Sequence, residues 1–183
     1  MQIISTPILV FIFTESRDNM PKTYEPIATT TLSSAAADVT FSSIPGTYTD
    51  LILVSRAINT TGATSGSMQF NADTGSNYSN TFIEGTGSAA SSNRNSNVTF
   101  ALIYYNNNAA TDGISVSIAH INNYSNTTTN KTSLTRFGTA GSLVGAYVSL
   151  WRNTSAINSI KIIAGGQNFQ SGSTFTLYGI KAA

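Results

Sequence analysis

Apolar and polar residues alternate at every second position along much of the chain. No window keeps an apolar repeat of 3.6 residues, so the pattern predicts strands and no long helix. The clearest run interleaves Ile114, Val116 and Ile118 with Ser115, Ser117 and Ala119, which predicts a half-buried strand whose serine side is wet. Leu51–Val54 is apolar at every position and reads as a central strand covered on both faces. Further strands are expected at Ile27–Leu32, Asp38–Ser43, Met68–Asn71, Thr81–Gly85, Val98–Tyr105, Thr132–Phe137, Ala146–Arg152, Ser159–Ala164 and Thr174–Lys181. Turn clusters such as Asn106-Asn107-Asn108, Asp112-Gly113 and Gly165-Gly166 separate them. About ten short strands at this spacing predict an all-β domain, a single antiparallel β-sandwich of jelly-roll type, over residues 20–183.

Composition sharpens this picture. Only 9% of the 183 residues are charged, against about 25% in an ordinary soluble domain. Neutral polarity takes the place of charge: 69 residues are Ser, Thr or Asn. The net charge of +1 rests on nine scattered Lys and Arg, which form no stripe for phosphates, so nucleic acid is not an expected partner. Zero cysteines and a single histidine, His120, exclude disulfides, thiolate sites and a histidine metal cluster within one chain. Neither metal nor cofactor is expected.

The first nineteen residues form a separate unit, an apolar arm or an upstream extension preceding a start at Met20. Ile8, Leu9, Val10, Phe11, Ile12 and Phe13 are uninterrupted by polarity, yet the run is far shorter than the ~20 residues a membrane helix needs. No Lys or Arg precedes it, as a secretory signal would require. The six residues are the candidate anchor onto a partner.

Chemical signals are few. Asp73-Thr74-Gly75 has the form of an aspartic-protease triplet, but Asp, Gly and Asn in sequence also build a turn, and the turn is the expected reading. Asp73, Gly75 and Asn77 resemble part of a calcium loop without the remaining oxygens. His120 lies in phase with Ile118 and is expected at a hydrogen-bonded core rim. Neither a nucleophile elbow nor an ordered triad occurs, and the protein is expected not to be an enzyme. Tyr124, Tyr147 and Trp151 are the candidate platform for a glycan, since such rings stack on sugar faces while their polar tips stay wet.

Several segments, taken together, resemble small virion-surface structural proteins of tailed bacteriophages, marine ones especially. They are Met20-Pro21-Lys22-Thr23-Tyr24-Glu25-Pro26-Ile27-Ala28, residues 70–79 (Phe70-Asn71-Ala72-Asp73-Thr74-Gly75-Ser76-Asn77-Tyr78-Ser79), residues 121–128, Lys131-Thr132, and the closing run from Phe169 to Lys181. The resemblance implies a β-sandwich on the virion surface, assembled in the host cytoplasm. It allows either a stand-alone head protein or a module of a fibre-like appendage. A short chain without shaft repeats or an enzyme constellation favours a decoration or cement protein that bridges subunits of the major capsid protein, with a homo-oligomer, trimer favoured, as the expected state. The alternative it carries is a tail-fibre or head-appendage module that binds host glycans. No membrane partner is expected.

Overall fold

The computed structural model describes residues 23–59, 63–107, 113–139 and 141–181; the apolar arm, including Ile8–Phe13, lies outside the described residues. Twelve strands are present among them: β1 (Tyr24–Thr31), β2 (Asp38–Phe41), β3 (Asp50–Ile58), β4 (Ala63–Phe70), β5 (Tyr78–Gly85), β6 (Ala90–Val98), β7 (Ala101–Asn107), β8 (Ile114–Asn122), β9 (Lys131–Thr139), β10 (Leu143–Trp151), β11 (Ile160–Gly165) and β12 (Thr174–Ile180). They form two sheets, one of eight strands in the order β1-β12-β3-β8-β9-β10-β5-β6 and one of four in the order β2-β11-β4-β7. Every pairing is antiparallel. The expected all-β sandwich is therefore the fold. The two sheets hold eight and four strands, which establishes the sandwich and leaves its jelly-roll type an expectation.

One strand lies where the apolar pattern is silent. β6, Ala-Ser-Ser-Asn-Arg-Asn-Ser-Asn-Val, is almost wholly polar because it is the edge of the larger sheet and both its faces meet water. An edge strand of this kind carries no periodic signal.

The core lies between the sheets. The four-stranded sheet contributes Val39, Phe41, Met68, Phe70, Ile160 and Ile162, and the larger one Leu51, Leu53, Ile121, Phe175 and Leu177. Trp151 stacks on Tyr78 with centroids 6.2 Å apart and tilts against Phe70 at 5.5 Å. Rings of this size dominate the burial, at roughly 2–3 kcal/mol or more for each side chain removed from water.

The middle of the larger sheet reverses the expected polarity. On β8 the serine side faces inward, with Ser115 at 0% and Ser117 at 3% exposure, while Val116 is 51% and Ile118 39% exposed. The wet-face reading of this strand is thus corrected: its period of two holds and its phase is inverted. Cross-strand pairing makes the inversion affordable in free-energy terms. Ser117 lies opposite Ser55 with hydroxyls 2.6 Å apart, and Ser115 opposite Thr139 at 3.0 Å, so each buried hydroxyl has a partner. Small inward side chains also leave room for β7, which packs across β8, β9 and β10 and brings the fully buried Ile103 and Tyr104. Leu51–Val54 follows the same logic, for Leu51 and Leu53 enter the core while Val54 remains on the outside.

Asn80 on β5 joins the two sheets. It is fully buried; its Oδ1 accepts from Leu102 N at 3.1 Å and from Ser149 Oγ at 2.7 Å, and its Nδ2 donates to Phe100 O at 3.1 Å. Not every inward hydroxyl is so placed. Ser133 Oγ and Thr135 Oγ1 are buried and have no hydrogen-bond partner among the described residues. An unpaired buried hydroxyl costs about 1–3 kcal/mol, and valine has nearly the same shape as threonine. Thr135→Val is therefore expected to raise stability by about 1 kcal/mol in urea denaturation; a loss of that size would mean that the hydroxyl is paired.

Candidate functional site

Most of the exposed large hydrophobic side chains among the described residues lie on the outer face of the eight-stranded sheet. Strand pairing places Ile52, Val54, Val116, Ile118, Leu134, Val144, Val148 and Ile83 in neighbouring rows across β3, β8, β9, β10 and β5. Several are half open to solvent or more, Val148 at 52%, Ile83 at 62% and Val144 at 65%. Five strands at ~4.8 Å spacing and three rows of side chains cover roughly 400 Å². Exposed aliphatic rows of this extent, interrupted by Arg136, mark a candidate interaction surface.

Charge on this face is sparse and mostly positive. Arg136 stands near its centre, against Ile118 and Ala146 across the strands, and borders three adjoining shallow hollows. Its guanidinium has no hydrogen-bond or ion-pair partner among the described residues. Arg56 lies one strand beyond Val116 and donates weakly to Gly172 O at 3.4 Å. At the rim, His120 Nε2 and Asp50 Oδ2 are 3.0 Å apart, and Asp50 Oδ1 accepts from Asn123 N. His120 shares its face with Ile118, as expected, but that face is the outside of the sheet and not the core rim.

The expected glycan platform is not a surface. Tyr124 is 0% exposed, and Tyr147 and Trp151 are each 1% exposed. The reason is that their polar tips are satisfied internally, so burial costs them little: Tyr124 donates to Pro45 O, Tyr147 OH to Glu84 Oε1 at 2.7 Å, and Trp151 Nε1 to Asp73 Oδ2 at 2.7 Å. Tyr124 also follows β8 and bonds to the segment at Pro45 and Tyr48, while the other two rings lie on β10, so the three do not share one strand. This expectation is corrected. Burial, together with the Glu84 carboxylate, pushes the Tyr147 hydroxyl well above the ordinary phenol range.

Asp73 is the anchor of a turn. Asn71 and Ala72 both adopt positive φ, 52° and 55°, and Asp73 N closes the turn on Phe70 O at 2.9 Å. Its carboxylate accepts from Gly75 N at 2.8 Å, Asn77 Nδ2 at 3.0 Å and Trp151 Nε1. Burial raises its pKa, but the hydrogen bonds from Trp151, Asn77 and Gly75 outweigh that and hold it below the ordinary carboxylate value. Among the described residues no cluster of three metal-ligating side chains surrounds it. A folded pKa below the unfolded one contributes stability above about pH 4, lost as pH falls through the folded value. Asp73→Asn should therefore lower stability by about 1–3 kcal/mol at pH 7 and flatten the fall below pH 4. An unchanged acid limb in pH-dependent melting would remove Asp73 from this role.

Periodicity alone missed the outer patch, yet a signal for it exists in the sequence. On β9 the phase that holds Leu134 also holds Arg136, and on β3 the phase of Ile52 and Val54 also holds Arg56. A lone arginine is rarely buried unpaired, so an apolar phase that includes one faces outward. Comparison with protein-family models and with curated proteins returns no match.

Proposed function

We propose that this chain is a non-enzymatic virion structural protein of a tailed bacteriophage, a decoration or cement protein that attaches to the capsid through the outer face of its larger sheet. The observation that supports this reading is the outward-turned apolar patch around Val116, Ile118, Leu134 and Val148, on a domain with few charges. A surface of this type binds by excluding water from apolar rows, with hydrogen-bonding side chains at the rim setting the register. The resemblance of residues 20–28, 70–79, 121–128 and 169–181 to phage virion-surface proteins supports the virion setting. Copies bound across neighbouring capsid subunits stabilise the assembled shell by mass action, since they bind that state and not the dissociated subunits.

Copy number tests the assignment. Densitometry of purified virions against the major capsid protein is expected to give hundreds of copies per particle. A few to a few tens of copies would overturn decoration and favour the appendage reading.

A further inference from the structure

A second site lies on the open flank of the sandwich, where edge strands β6 and β7 leave the two sheets unpaired at their margins. A hollow of about 270 Å³ is walled there by Phe82, Phe100 and Tyr105 and bordered by Glu84, Asn95 and Ser65. Among the described residues Glu84 is the one charged member of the lining. Its Oε1 is fixed by the Tyr147 hydroxyl at 2.7 Å, and Tyr147 is itself held between Phe137 and Phe82, at 4.6 and 5.5 Å between centroids. The carboxylate is thus pre-positioned by a buried ring. Its Oε2, the Asn95 amide and the Ser65 hydroxyl have no hydrogen-bond partner among the described residues.

We propose that this hollow binds a single neutral hexopyranose ring. Three features point to that class. Aromatic walls suit the C–H face of a sugar, and an amphipathic ligand of this kind needs a few convergent polar groups beside them. A carboxylate accepts hydroxyl protons, while an amide and a hydroxyl both donate and accept, which matches vicinal hydroxyl groups. At about 270 Å³ the hollow falls just below the ~300–1,000 Å³ of drug-sized ligand sites and accommodates a single ring. With Glu84 as the lone charge among the described lining residues, acidic sugars are repelled. This site is on the opposite side of the larger sheet from the attachment face and does not rest on the capsid reading.

The test uses the full chain, ¹⁵N-labelled, titrated with methyl β-galactoside, methyl β-glucoside, methyl α-mannoside and N-acetylglucosamine, with glucuronate for comparison. At least one neutral sugar is expected to bind in the millimolar range, with saturation transfer from the aromatic rings, and glucuronate at least tenfold more weakly. Tyr105→Ala and Glu84→Gln should each weaken binding tenfold or more with an unchanged melting temperature, glutamine retaining an acceptor for the Tyr147 hydroxyl. Binding that survives both substitutions, or no binding by any of the four neutral sugars, overturns the proposal. A Val116→Glu/Val148→Glu variant should keep its sugar affinity, so failure of this site and failure of the attachment face are read separately.

Discussion

Asn80→Ala is expected to be among the most damaging single substitutions in this domain, costing about 3–5 kcal/mol in chemical denaturation. Truncation leaves Leu102 N–H, Phe100 C=O and the Ser149 hydroxyl without their shared partner inside the sandwich. Each orphaned buried group costs about 1–3 kcal/mol, and the losses do not add fully because the groups share one site. Against a typical total of 5–15 kcal/mol, such a loss brings the protein near its unfolding threshold at 37 °C. Ser149→Ala provides the internal comparison. It removes one of the three bonds and leaves the sheet-to-sheet pair intact, so it should cost only about 1 kcal/mol. Equal effects from the two variants would show that Asn80 does not link the sheets.

The second large effect falls on attachment and not on folding. Val116→Glu combined with Val148→Glu is expected to reduce occupancy on capsids by at least a hundredfold while moving the melting temperature little. Both side chains are about half exposed, so charging them strands nothing in the isolated protein. The glutamate at position 116 also faces Arg56 across the strand pair, a favourable neighbour. On docking, however, the carboxylate at position 148 has to enter an apolar contact without a partner, at several kcal/mol, and the one at position 116 gives up its water even beside Arg56. Parallel measurements of occupancy and of thermal unfolding separate the two effects. Normal occupancy with both glutamates present would place attachment on another surface.

Much of the architecture is legible in the sequence because turns and period-two runs report local geometry. The turn at Asp73-Thr74-Gly75 follows from residue preferences, and eleven of the twelve strands overlap apolar runs that can be read directly. What period two does not carry is phase. Ile114, Val116 and Ile118 are the more apolar side of β8, and hydrophobicity alone sends them to the core; the structure sends Ser115 and Ser117 there, because their hydroxyls find partners on β9 and β3. The decision depends on residues far away in sequence, such as Ser55 and Thr139. Only the arginines sharing the apolar phase hint at the answer.

Trp151 and Tyr147 teach the complementary lesson. Their rings look like surface furniture in a chain so rich in polar residues, since nothing nearby in sequence offers to satisfy an indole N–H or a phenol. The acceptors, Asp73 and Glu84, come from the β4–β5 turn and from β5, more than sixty residues upstream. Long-range hydrogen bonds of this kind decide burial, and a single sequence without pairing information does not display them.

The hydroxyl-lined interior bears on how the domain responds to temperature. Unfolding an ordinary core hydrates mainly apolar surface, and this raises the heat capacity; hydrating polar surface lowers it. Here Ser55, Ser115, Ser117, Ser133, Thr135, Thr139 and Ser149 occupy inward positions that aliphatic side chains would otherwise fill. The two contributions therefore offset each other more than in a sandwich lined with valine and isoleucine. The stability curve of this domain is correspondingly flatter, so that cooling and warming each erode the folded state gradually.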